Sequence, residues 1–220
     1  MPRKINQTDV VPYLSTFKGF YKKKTLKNKD DFNKLLNYFE KLKWTIEDFN
    51  EEFTLKEQWE HKDIVFVLTA TAWIWDITKK ITELYDPDIL CEFEYKNKEI
   101  FESCNSYLRA IRSFTIAHPL GTTQCKKYGF DGDWICIDIR TSKSIDYFQF
   151  NNEYIYHLNI NGLEHKYCKK DDIFLHAYSN KDGEYKYFRK IGMSSKDLIM
   201  ITKIAIDKLV KLNTYLSQQK

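Results

Sequence analysis

Among residues able to move a proton or hold a phosphate, one stretch is dense: Arg112-Ser113-Phe114-Thr115-Ile116-Ala117-His118, closed by Pro119. An imidazole with an unperturbed pKa of ~6.5 gives or takes a proton near neutrality. Beside a scissile phosphodiester it could take the proton of a 2′-hydroxyl or return one to the leaving oxygen, while an arginine balances charge on the phosphorane. Arg112 and His118 supply both residue types. Arg109 lies one helical turn before Arg112 on the same face and doubles its positive surface, although a plain ion-pairing face has the same composition.

Helical geometry sets a condition on this pair. Six residues on a straight α-helix turn through about 600°, which leaves Arg112 and His118 roughly 120° apart. Convergence then needs either a distortion at Pro119, which pushes His118 out of α-helical geometry, or a second subunit that brings its own copy of the segment.

Arginine, a polar residue, a short spacer and histidine at the end of a helix resemble the R-x(4–6)-H motif of the HEPN superfamily, with a spacer of five residues between Arg112 and His118. Ser113 stands where the family often carries Asn, Asp or His. The resemblance covers this motif and the helix that bears it. It implies a helical core, a composite site formed by two motifs across a homodimer, and RNA cleavage without metal or cofactor. Arg112 and His118 take the catalytic positions. Ribonucleases of this kind include toxins, antiphage effectors and RNA-targeting defence proteins, so a cognate regulatory protein is a further expectation. A scaffold kept for dimerisation without catalysis is the alternative.

Other constellations are sparser. The stretch Gly121-Thr122-Thr123-Gln124-Cys125-Lys126-Lys127-Tyr128-Gly129 follows the motif, and Lys126, Lys127 and Tyr128, with Arg109 and Ser113, form the expected RNA-binding set; a surface loop is the alternative. Asp131, Asp133 and Asp138, near Arg140, loosely resemble the acidic cluster of a metal-dependent nuclease, without its usual lysine. His157 and His165 share a hairpin. A two-residue turn at Asn161-Gly162 pairs His165 with Leu158 and His157 with Lys166, turning the imidazoles to opposite faces and giving no metal site. Trp73, Trp75 and Tyr85 form an aromatic stripe of core character.

The elements that must position these residues follow from periodicity. Asp30 and Asp31 precede Phe32, Leu35, Leu36 and Phe39, the spacing of a short helix. A second helix is expected from near Thr54, with the stripe Val67, Ala70, Ile74, Ile77, Ile81 and Leu84 running to Asp86-Pro87. A third, from about Asn97, carries Ile100, Cys104, Leu108, Ile111 and Thr115 on one face. After Pro119 the period becomes two, through Ile135 to Arg140, Tyr154 to Ile160, Leu163 to Tyr167, and a further hairpin from Ile173 to Lys190. Ser194 and Asp197 then open a last helix with the stripe Leu198, Ile201, Ala205, Leu209, Leu212 and Leu216.

The expected class is therefore α+β: mainly a helical bundle, with a small antiparallel β-sheet inserted before the C-terminal helix. One domain over 1–220 would comprise a basic N-terminal arm (1–30), a helical bundle (31–118), a β-rich insertion (119–193) and the C-terminal helix (194–220).

Composition agrees with a packed protein: 43% of the 220 residues are hydrophobic and 16% aromatic, with seven Gly and four Pro. Five cysteines, at 91, 104, 125, 136 and 168, form no C-x-x-C pair, which argues for reduced core thiols and against a disulfide framework. The longest apolar run, Ile64 to Ile77, contains Asp76 and falls short of the ~20 residues of a bilayer span. No signal-like segment opens the chain, and the expected location is cytoplasmic, away from membranes. The net charge of +4 conceals polarity. Residues 1–30 carry eight Lys/Arg against two acids, whereas residues 44–106 carry six Lys against fifteen acids.

Overall fold

The computed structural model describes residues 11–55, 59–96, 98–112, 115, 134–141, 155–164, 168, 171–181 and 184–219. The fold is α+β. Long helices α1 (Phe32–Leu55), α2 (His61–Glu83), α4 (Lys98–Arg112) and α5 (Ser195–Gln218), with the short α3 (Pro87–Leu90), account for most of it. Strands β1 (Trp134–Thr141), β2 (Ile155–Asn159), β3 (Gly162–Glu164), β4 (Ile173–Lys181) and β5 (Glu184–Met193) precede α5 in the chain. The chain divides into two compact units, one of 1–56, 70–101 and 199–220, the other of 57–69 and 102–198.

In the first unit, α1 runs well past the short helix its first turns suggest. Leu42, Ile46 and Phe49 continue the three- and four-residue steps of Leu35 and Phe39, and all five are buried. Leu36, expected on that stripe, is 39% exposed. Helix α2, whose first residues belong to the second unit, begins at His61 rather than near Thr54, where Asp63 accepts the Glu60 amide at 2.8 Å and closes the first turn. On α5 the stripe from Ile201 to Leu216 is buried throughout.

The segment ahead of α1 is tied to α5 by polar bonds. Asn213 accepts the amides of Gly19 (2.9 Å) and Phe20 (3.2 Å) and donates to the Thr16 carbonyl (3.2 Å). A Cβ at Gly19 would stand 2.0 Å from the Asn213 carbonyl oxygen, so only glycine permits this approach. Lys22, from the basic run, donates its ammonium to the carbonyls of Ser217 (2.7 Å) and Gln219, where it satisfies terminal acceptors of α5. Of the aromatic stripe, Trp75 and Tyr85 are core, but Trp73 is 43% exposed beneath the Lys41 ammonium.

In the second unit the sheet has the order β1-β4-β5-β2-β3. The expected hairpins β2–β3 and β4–β5 are antiparallel, but β2 pairs with β5 in parallel, so the sheet is mixed rather than antiparallel. Alternating residues specify strands and tight turns specify their neighbours; neither fixes the sense in which strands distant in sequence meet. The β2–β3 register also differs. His157 pairs with Glu164 and Asn159 with Gly162, because the Asn159 side chain accepts the Asn161 amide (2.8 Å) and builds the turn one residue early. Gly162 follows with φ of +136°, a conformation that suits glycine.

Two adjacent aspartates before β4 take different roles. Asp172 accepts the Ser195 amide at 2.7 Å, together with its hydroxyl, and so caps α5 alongside Ser194, whose own hydroxyl receives the Lys196 amide at 3.3 Å. Asp171 turns to β2.

Candidate functional site

Helix α4 is amphipathic. Phe101, Cys104, Tyr107, Leu108 and Ile111 are buried along one side, while Ile100, expected on the stripe, is 43% exposed and Phe101 takes its place. Arg109 and Arg112 occupy the last helical turn and both are exposed, one turn apart. The Thr115 hydroxyl donates to the Ile111 carbonyl at 2.8 Å, a helix-like return beyond Arg112.

Ser113, His118, Lys126, Lys127 and Tyr128 lie outside the described residues, as do Asp131, Asp133 and His165. Asp138 and Arg140 lie on β1, where the backbone alone is described. Of the motif's named positions, Arg112 is therefore the one with a described side chain.

A second cluster escaped the sequence. His157 on β2 sets its Nδ1 2.8 Å from Oδ1 and 3.1 Å from Oδ2 of Asp171. The imidazole is 11% exposed and the carboxyl group not at all. The parallel register explains the fit: His157 lies opposite Gly192 of β5, and a Cβ at Gly192 would stand 2.2 Å from the Asp171 Oδ2. The strand carries no side chain where the carboxyl group needs room. Burial pushes the Asp171 carboxyl up to about 6; the His157 ring pulls the other way, and Asp197 and Asp172 add to the rise.

Cys168, partly exposed and a free thiol, joins this pair. The Asp171 amide donates to the Cys168 carbonyl at 3.1 Å, a turn that folds the two residues together, and one donor atom from each of His157, Cys168 and Asp171 lies within 4.8 Å of the others. Tyr107 of α4 is fully buried nearby, its hydroxyl without an acceptor among the described residues. Burial raises the pKa of that hydroxyl strongly, and Asp197, Asp171 and Asp172 raise it further. The one sequence signal for this cluster is the Cys168-x-x-Asp171 spacing just ahead of a strand. The expected pairing of His157 with Lys166 gives no sign of it.

No protein-family model, curated protein or solved structure matches the chain. Among the described residues no helix is long and apolar enough to cross a membrane.

Proposed function

We propose that the chain is a HEPN-like endoribonuclease that cleaves RNA without a metal, using Arg112 and His118 of two subunits in one homodimeric cleft. The observation that carries the reading is the pair of exposed arginines one turn apart on the open face of α4, with Arg112 six residues ahead of His118 in the sequence, the spacing of the motif. His118 takes the proton of the 2′-hydroxyl, and the 2′-oxygen attacks phosphorus. The 5′-oxygen leaves with a proton returned by an imidazolium, giving a 2′,3′-cyclic phosphate. Arg112 holds the equatorial oxygens as negative charge accumulates, and Arg109, with Lys126, Lys127 and Tyr128, holds the flanking strand. Such an activity in the cytoplasm suits a toxin or antiphage effector restrained by a cognate regulatory protein.

Induced expression tests the reading. The wild type is expected to arrest growth and degrade cellular RNA, and Arg112→Ala to do neither while remaining folded and dimeric. A folded dimer that cleaves no RNA would leave a dimerising binding protein instead. Cleavage abolished by Asp131→Asn and indifferent to Arg112→Ala would move the chemistry to a metal-dependent site at Asp131, Asp133 and Asp138.

A further inference from the structure

We propose that His157, Cys168 and Asp171 form a binding site for zinc or a closely similar thiophilic divalent cation, one that joins the segment before β4 to β2. The three donors are none of the residues of the Arg112–His118 motif, and the inference does not rest on the ribonuclease reading.

The donors are an imidazole nitrogen, a thiol sulfur and a carboxylate oxygen. Magnesium and calcium favour all-oxygen shells, whereas mixed nitrogen, sulfur and oxygen donors suit zinc. Three protein ligands and one open position are a common zinc arrangement. The fit in distance is close. A tetrahedral zinc with bonds of ~2.0–2.3 Å separates its donors by about 3.5 Å. The His157–Asp171 contact of 2.8 Å would open slightly, and the widest separation, at most 4.8 Å, would close by roughly an ångström. Cys168, partly exposed, is the member able to make that movement.

Charge and burial point the same way. A carboxyl group with no exposed surface is costly to ionise unless a cation accompanies it. One dication with a thiolate and a carboxylate is neutral overall, so metal binding removes that cost. The cradle is also built for the carboxylate. Gly192 leaves the space that any larger residue would take from Asp171, and the parallel β2–β5 pairing places that space opposite His157. Asp171 and His157 are already held in contact, so little ordering remains to be done when the ion arrives.

The experiment uses the full chain, freed of metal by EDTA and dialysed, then titrated with zinc chloride by calorimetry and with cobalt chloride by absorption. One equivalent of each is expected to bind. Cobalt should give a near-ultraviolet sulfur-to-metal charge-transfer band, and zinc should raise the melting temperature. Cys168→Ser should abolish the band and weaken zinc binding at least tenfold. Cys91→Ser, on an exposed turn, should change neither. A wild-type cobalt complex without the sulfur band overturns the proposal however the variants fold. Zinc binding by folded Cys168→Ser equal to wild type would do the same.

Discussion

The arginine end of α4 and the His157 nest present opposite arrangements of reactive side chains. At the first, Arg109 and Arg112 stand in solvent on one helix, close in sequence. At the second, His157 and Asp171, fourteen residues apart, meet in a buried contact that needs a parallel strand pair and a glycine opposite. Charge at the surface is within reach of a polyanion and is screened by salt. Buried charge must be neutralised within the protein, by a proton or by a metal. The first region is therefore suited to binding and turnover, the second to holding structure.

That contrast can be broken by substitution. Of the two regions the larger effect is expected at the exposed end: Arg112→Ala should lower the turnover of RNA by about 10²–10³-fold, the range for loss of one transition-state donor, with the melting temperature unchanged. Single-turnover cleavage beside thermal unfolding checks both halves. An Arg112→Ala protein that unfolds instead would assign the arginine to structure.

At the buried end the sign reverses. Gly192→Ala puts a Cβ against the Asp171 carboxyl group and should cost about 1–3 kcal/mol of stability, as overpacking of a filled site does. Urea denaturation measures it, and an unchanged midpoint would show that the carboxyl group has room to move.

A third effect is a dependence on pH in the metal-free protein. The Asp171 carboxyl, pushed up to about 6, binds its proton more tightly folded than unfolded, where an aspartate titrates near ~3.9. Between those values the folded state holds more protons. Its stabilising contribution is complete below about pH 4 and is lost as the pH rises through about 6. Melting temperatures from pH 4 to 7 should fall more steeply for the wild type than for Asp171→Asn, and parallel curves would contradict the assignment. Burial is the main cause of this rise, and His157, Asp197 and Asp172 are the charged and titratable neighbours that modify it.

The smallest effect sharpens the first region. Arg109→Ala should raise KM for RNA by a few-fold and leave kcat alone, as loss of one phosphate contact does, whereas Arg112→Ala acts on kcat. Equal effects of the two substitutions on kcat would make the arginines one catalytic unit.

How much was legible in the sequence divides along the same line. Helix α5 could be read residue by residue, since every member of the Leu198 to Leu216 stripe is buried. Period alone determines which face of a long helix is covered. The extension of α1 was also written in Leu42, Ile46 and Phe49, but Lys43, Glu47 and Asp48 between them dilute the pattern. The α+β class followed from the change of period after Pro119. The sense of the β2–β5 pairing did not, because no turn joins those strands. The His157 turn was misjudged by one residue, since an asparagine side chain closed it ahead of Asn161-Gly162. The arginines were legible because a helix keeps near neighbours on one face. The His157, Cys168 and Asp171 cluster was not, because a local turn brings Cys168 to Asp171 but only the sheet brings His157 to them.

Cleavage of RNA by a metal-independent arginine and histidine pair stands or falls on His118→Ala beside the wild type, on one RNA in the presence of EDTA. The wild type should continue to cleave, leaving 2′,3′-cyclic phosphate ends, and His118→Ala should lose about 10²–10⁴-fold in rate, the worth of a general acid–base, at unchanged circular dichroism. Equal rates for the two proteins, or a wild type silenced by EDTA while still folded, would contradict it.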